Sequence, residues 1–308
     1  MRQSLFLVPA AIGVLSGAAL LQEPTGKGGF QVHRRPAIVT EYVPHRFSDE
    51  KLAEIRKDHC PHGLPVVTPH PTYGPTRILD YKGYVVELSM QDKIPLWVCE
   101  QVTSEDIEGE ARRMSSFKQD RILSTHLQGT HKDYTNSGYA RGHLSAAANR
   151  DSSQALKTET FLTTNIVPQN SPMNSGRWKV LEDIIRKEWV DSERPVFITC
   201  GPIFYDPQEG STSTADGFVE YFTIGKGGVS VPTHMYKIVL QREPNLQSRW
   251  RAIAFVMRNE RPEPGTGLET YITSIREIEQ QTNINFFPEL DGDSDWQEME
   301  QALPEIWE

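Results

Sequence analysis

Residues 137–150 read SGYARGHLSAAANR. A histidine placed for packing sits among apolar neighbours, but His143 directly follows Arg141 and Gly142 and is followed within seven residues by Asn149 and Arg150. This setting marks a functional site. An unperturbed imidazole titrates near neutral pH, which suits it to remove a proton from water.

Charge around this stretch narrows what such a base would act on. The chain has 308 residues with 32 Lys plus Arg against 41 Asp plus Glu, a net −9 that by itself argues against a nucleic-acid partner. Its distribution argues the other way. Residues 111–190 hold 12 basic against 7 acidic side chains, leaving 20 against 34 elsewhere. Local charge fluctuates by this much without any function, so charge alone leaves both readings open.

Outward from the centre, runs rich in β-branched and apolar residues predict strands at 83–90 and 94–102 before it, and at 195–205, 217–224, 229–242 and 250–256 after it. Helices are predicted at 154–162, behind Ser152 and Ser153, at 174–189, and at 268–281. In the second of these, Trp178, Leu181, Ile185 and Trp189 recur at spacings of three and four, a buried stripe that makes both tryptophans core and not base-stacking platforms. Strands, central helices, then more strands indicate an α+β fold. With 37% hydrophobic and 24% charged residues the chain has an ordinary globular composition, and 22 Gly and 21 Pro make it loop-rich.

The ends read differently. Residues 5–21 form an apolar run broken by Pro9, Gly13, Ser16 and Gly17, slightly short of the ~20 residues that span a bilayer. A secretory signal, a mitochondrial targeting segment and a plain hydrophobic tail compete, with the sparse arginine favouring secretion on sequence alone. The expected organisation is a targeting segment and spacer at 1–36, one domain at 37–290 and an acidic tail at 291–308. The tail opens with DGDSDW, which imitates a calcium loop but puts Trp296 where glycine is needed and Ala302 where glutamate is needed. Cys60, Cys99 and Cys200 are few, odd in number and far apart, against a disulfide framework. His59, Cys60 and His62 lie close together, but no second cluster supplies the other ligands of a zinc site.

A one-metal nuclease needs a base, an oxygen ligand for a hard cation, and cations to offset phosphate charge. His143 supplies the first and Asn174 a neutral amide oxygen at a helix start. Glu182 and Arg186 follow Asn174 by 8 and 12 residues, on about the same side of an α-helix. There Glu182 would orient water around a cation. Spacing alone equally describes, and more simply, an i,i+4 pair contributing about 0.2–0.5 kcal/mol.

GYARGHLSAAANR, then TFLTTNIVPQN, then NSGRWKVLE resemble the DNA/RNA non-specific endonuclease family, in particular its mitochondrial endonuclease G and exo/endonuclease G-like branches. That signature runs Asp-Arg-Gly-His, Asn-x-x-Pro-Gln, then a metal-binding Asn with a Glu eight residues on. Here it is met by Arg141, Gly142 and His143, by Asn165, Pro168 and Gln169, and by Asn174 and Glu182. Similarity extends through PLWVCEQV, ARRMSSFKQD, VPTHMYKIVL and NFFPEL, roughly residues 40–290. The resemblance implies a mixed α/β sandwich with a central antiparallel sheet and a ββα-metal motif. It implies Mg²⁺ or Mn²⁺ on Asn174, His143 as base, Glu182 as its supporting carboxylate, Arg141, Arg112 and Arg186 as phosphate-stabilising or structural cations, and Asn165 as a further catalytic-site residue. DNA and RNA are the implied substrates, cut to 5′-phosphate and 3′-hydroxyl ends by what is commonly a homodimer. It also turns the N-terminus towards mitochondria, with residues 5–21 as a possible inner-membrane tether and secretion second.

One position departs: the signature Asp is Ala140, where the exo/endonuclease G-like branch has Ser. Two alternatives therefore stand beside a non-specific endonuclease, namely a 5′ exonuclease and a catalytically weakened nucleic-acid-binding relative. His234, in VPTHMYK, reads as a strand histidine with a structural hydrogen bond, and Asn149 as a loop-capping amide, although the resemblance places its segment beside the site.

Overall fold

Strict apolar alternation is absent from most of the strand-forming runs because their strands are covered on both faces. The computed structural model describes residues 31–36, 47–67, 74–114, 116–204, 218–243 and 249–290. The apolar run at 5–21 and the acidic tail lie outside these residues. In chain order the elements used below are α1 (Asp49–Asp58), β1 (Thr76–Asp80), β2 (Val85–Ser89), β3 (Ile94–Val102), β4 (Tyr139–His143), α2 (Gln154–Glu159) and β5 (Ile166–Asn170). A helical segment at 171–189, here α3, follows, then β6 (Val196–Ile203), β7 (His234–Arg242), β8 (Trp250–Arg258), β9 (Ile272–Thr273) and α4 (Ile275–Thr282).

Seven strands form one antiparallel sheet in the order β9-β8-β7-β6-β3-β2-β1. Side chains alternate across a strand, and along β7 Met235 and Val239 enter one apolar cluster while Tyr236, Ile238 and Leu240 enter the other. The first cluster is closed by Leu144, Ile166 and Val167 around the β4–β5 hairpin and by Trp178, Leu181, Ile185 and Trp189 of α3. The predicted stripe is therefore the buried face of α3. The second is closed by Ile55 of α1 and by Ile275 and Ile278 of α4. The result is the α+β sandwich with a central antiparallel sheet, with a ββα unit on one face.

Differences from the sequence reading have local causes. The run at 229–242 splits into Val229–Ser230 and β7, because Pro232 between them has no N–H for a ladder. The helix expected from 268 starts later. Leu268–Tyr271 is a 3₁₀ turn, β9 pairs with β8, and Ser274 caps α4 by accepting from the Glu277 N–H at 3.1 Å. Helix α1 was not read because only Ile55 of it is buried; a Ser48 cap, an acidic first turn and a basic last turn define it instead. Gln31–Pro36, within the stretch read as spacer, pairs antiparallel with Phe218–Ile224.

Candidate active site

Hairpin β4–β5 places the base. Its register sets Ala140 opposite Gln169, Gly142 opposite Val167 and His143 opposite Ile166. Any Cβ at Gly142 would overlap the buried Gln169 side chain, so the glycine before the histidine and the glutamine of IVPQN require each other. Just beyond the strand, Asn165 locks the chain. Its Oδ1 accepts from the Ser145 N–H at 2.9 Å, and its Nδ2 donates to the carbonyls of Ser145 at 2.9 Å and Thr160 at 2.8 Å.

The turn from β5 into α3 places the second candidate. Asn170 Oδ1 accepts from the Met173 N–H at 3.3 Å, and Pro172 occupies the first turn, where its missing donor costs nothing. The segment is not a uniform helix. Asn174–Trp178 and Ile185–Trp189 are π-helical turns flanking α-helical Lys179–Ile184, and Gly176, at φ −104° and ψ −109°, departs from helical geometry. Such insertions commonly occur at functional sites.

His143, Asn174, Glu182 and Arg186 line one cavity of about 290 Å³. Ala146, Ala147, Ala148 and Phe161 make its apolar wall, and Arg113, Lys157 and Lys179 add positive charge. Lys157 is paired with Asp151, and Lys179 and Arg186 with Asp183. Arg113 has no ion-pair partner among the described residues.

The half-buried His143 ring meets Phe161 edge-on at 4.8 Å between centroids and packs tilted against Phe117 at 5.3 Å. Its Nε2 is sealed and makes no hydrogen bond among the described residues. Burial, and then the Arg113 charge, hold its pKa down to about 4, so the ring is neutral at pH 7. The Asn174 amide likewise has no hydrogen-bond partner among the described residues. Glu182 is nearly buried, 3.9 Å from the buried Lys237 ammonium, which also lies over the Trp178 ring. Burial raises the Glu182 pKa, while Lys237 and Arg186 oppose the rise.

Three other candidates do not line the cavity. Arg141 donates to the His131 carbonyl at 2.9 Å and covers the Phe117 and Tyr134 rings. Arg112 is exposed, with its backbone bonded to the Gln154 side chain at 2.8 and 3.0 Å; its neighbour Arg113 takes the cavity position. Asn165 is the buried lock described above. His234 also lies off the cavity and contacts Thr233 Oγ1 at 3.0 Å.

A buried network beneath the site was not read from sequence. Glu100 of β3 accepts from Ser145 Oγ at 2.7 Å, Asn149 Nδ2 at 2.8 Å and Arg150 Nη2 at 3.0 Å. Asn149, read as a loop cap, passes its Oδ1 to Arg186 Nη1 at 2.8 Å. The available signal was a lone acid, Glu100, inside the apolar run PLWVCEQV.

A neutral histidine and an amide oxygen without a partner among the described residues thus lie together beside cationic side chains on a ββα unit. The sequence pattern described as DNA/RNA non-specific endonuclease matches residues 66–293, and the chain belongs to this family; it is a nuclease. The chain is 30% identical over 288 residues to the mitochondrial nuclease EXOG of Mus musculus, across 92% of this chain and 74% of that one. It is 32% identical over 220 residues to the mitochondrial endonuclease G of Homo sapiens, across 70% of this chain and 71% of the relative. A solved structure titled as the EndoG/EndoGI complex superposes with a TM-score of 0.65 at 25% identity, covering 80% of this chain and 95% of that one.

Proposed function

We propose that the chain hydrolyses both DNA and RNA, using His143 as the base and a divalent ion, Mg²⁺ with Mn²⁺ as a substitute, held by Asn174. The observation that carries this reading is the pairing, in one cavity, of a neutral His143 with an Asn174 amide that has no partner among the described residues. One amide oxygen with the Glu182 carboxylate nearby is a sparse donor set, and it fits an ion that keeps most of its water and takes phosphate oxygens from the substrate. Bound there, the ion would supply Lewis-acid stabilisation of the phosphate and of the departing 3′ oxygen.

The His143 imidazole takes the proton of the attacking water. Glu182 orients water by hydrogen bonding. Arg113 and Arg186 offset charge accumulating on the phosphate. Arg141 and Asn165 act by holding the β4 hairpin and its exit, and Arg112 contributes at most to the outer rim. The apolar wall of Ala146, Ala147 and Ala148 offers no side-chain donor or acceptor to a sugar hydroxyl or base edge, in keeping with phosphate contacts that position without reading sequence.

Location in mitochondria is proposed because both relatives above bear that description. A homodimer and a tether through residues 5–21 complete the reading. Light scattering of the full chain tests the first, and imaging a fusion of residues 1–40 tests the second. The central experiment is cleavage of supercoiled plasmid and of folded RNA by the full chain, with Mg²⁺ and with excess chelator, beside His143→Ala. Metal-dependent nicking lost in the variant is the expected result. Wild-type turnover by the variant would remove His143 from the mechanism, and activity on linear ends alone would replace endonuclease with exonuclease action.

A further inference from the structure

Glu100 is 1% exposed and Asn149 3% exposed, so each polar atom they carry must find its partner inside the protein. Both point to the site side of the sheet: Glu100 shares the face of β3 with Val98 and Val102, which belong to the cluster beneath the ββα unit. The Glu100 carboxylate, held against Arg150 at 3.0 Å, has only acceptors to offer. An amide has a donating end and an accepting end, so Asn149 must turn Nδ2 towards Glu100. Its Oδ1 is thereby directed at Arg186 Nη1, 2.8 Å away. The other guanidinium nitrogen, Nη2, meets Asp183 Oδ1 at 2.5 Å. Asp183 is half exposed at the edge of the helix, and a contact to it alone would leave Arg186 free to follow it outwards.

We infer that Asn149, with its amide oriented by Glu100, is a positioning residue that holds the Arg186 guanidinium in the cavity where the reacting phosphate binds. The inference rests on the proposed role of Arg186. It assigns to a buried amide, two elements away in the chain, the aim of the cation on α3. Ser145 joins the same carboxylate through its Oγ at 2.7 Å, two residues after the base, so one acidic side chain fixes both the His143 exit and the Arg186 approach.

The test is a double-mutant cycle on plasmid nicking by the full chain, with Asn149→Ala, Arg186→Ala and the double variant, reading kcat and KM separately and checking each fold by its melting transition. Asn149→Ala leaves the Glu100–Arg150 and Glu100–Ser145 contacts in place. Outer partners of reactive groups are commonly worth about 10- to 100-fold, and Asn149→Ala is expected to lower kcat by that factor at nearly constant KM. In the Arg186→Ala background it should add less than about twofold, since its effect passes through the missing guanidinium. Wild-type turnover by Asn149→Ala, or losses that multiply in the double variant, would overturn the inference. Full turnover by Arg186→Ala would overturn it together with the proposed role of Arg186, whereas a loss in that variant without coupling overturns the positioning role alone. If Asn149→Ala fails to melt cooperatively, Asn149→Ser fills more of the site and is read by the same cycle.

Discussion

The floor and the mouth of the cavity treat polar groups in opposite ways. On the floor, Glu100, Ser145, Asn149 and Arg150 are buried and joined by short hydrogen bonds, although Arg150 Nε has no partner among the described residues. At the mouth, the Asn174 amide has no hydrogen-bond partner and Arg113 no counter-charge among the described residues, and both line the cavity with His143. The floor groups direct most of their hydrogen bonds inward, whereas the Asn174 amide and Arg113 line the cavity and are open to another molecule. On the proposed reading, the floor fixes geometry and the mouth carries the chemistry. Substitutions at the mouth should therefore change turnover and spare stability, while substitutions on the floor should change both.

The largest separation is expected at His143. General-base catalysis is worth about 10²- to 10⁴-fold, and His143→Ala should lose that much kcat with little change in melting temperature. A melting temperature that falls together with kcat would place His143 on the floor. On the other side of the comparison, Glu100→Ala would leave Arg150 buried without its carboxylate, which commonly costs about 3–5 kcal/mol. Denaturant unfolding should show that loss, and a variant as stable as the parent would break the division between floor and mouth.

The two regions were also unequally legible. Residues of the mouth stand out because they break the pattern of their surroundings: His143 sits in a polar loop, and Asn174 begins a helix whose apolar stripe is otherwise regular. The α3 stripe of Trp178, Leu181, Ile185 and Trp189 was readable because packing on a sheet imposes a helical period. The π-helical turns were not, since the insertion is set by backbone geometry around Gly176 that composition does not record. The floor was hidden for a different reason. Glu100 lies 49 and 50 residues before Asn149 and Arg150, and only the packing of the loop after β4 against β3 brings them together. Arg112 and Arg113 could not be told apart by order, because which of two adjacent side chains enters a cavity depends on the local turn.

A smaller effect is expected in the acid limb. Between its ordinary pKa of 6.5 and the value of about 4 in the folded chain, His143 stays neutral where a free histidine would be charged. A base must be neutral to act, so kcat/KM should hold through neutral pH and fall as the pH drops through about 4. Arg113→Ala removes the second cause of the lowered value and leaves the first, burial. Its acid limb should move towards neutral pH without reaching that of a free histidine. A limb that moves to lower pH would show that Arg113 does not act on His143 through charge.

The smallest effect is expected one residue away. Arg112 and Arg113 carry the same charge and are both exposed, but Arg113 lines the cavity while Arg112 does not and has its backbone bonded to the Gln154 side chain. Truncating an exposed side chain leaves those backbone bonds intact and typically changes a free energy by no more than about 0.5 kcal/mol. Arg112→Ala should therefore remain within about twofold of the parent in kcat, while weakening the KM for long DNA slightly, and more at low salt, as expected for a rim charge that meets phosphates away from the cut. Arg113→Ala should lower kcat itself. If the two variants exchange these signatures, Arg112 reaches the reacting phosphate when substrate binds, and the boundary between mouth and rim lies one residue earlier than the free chain places it.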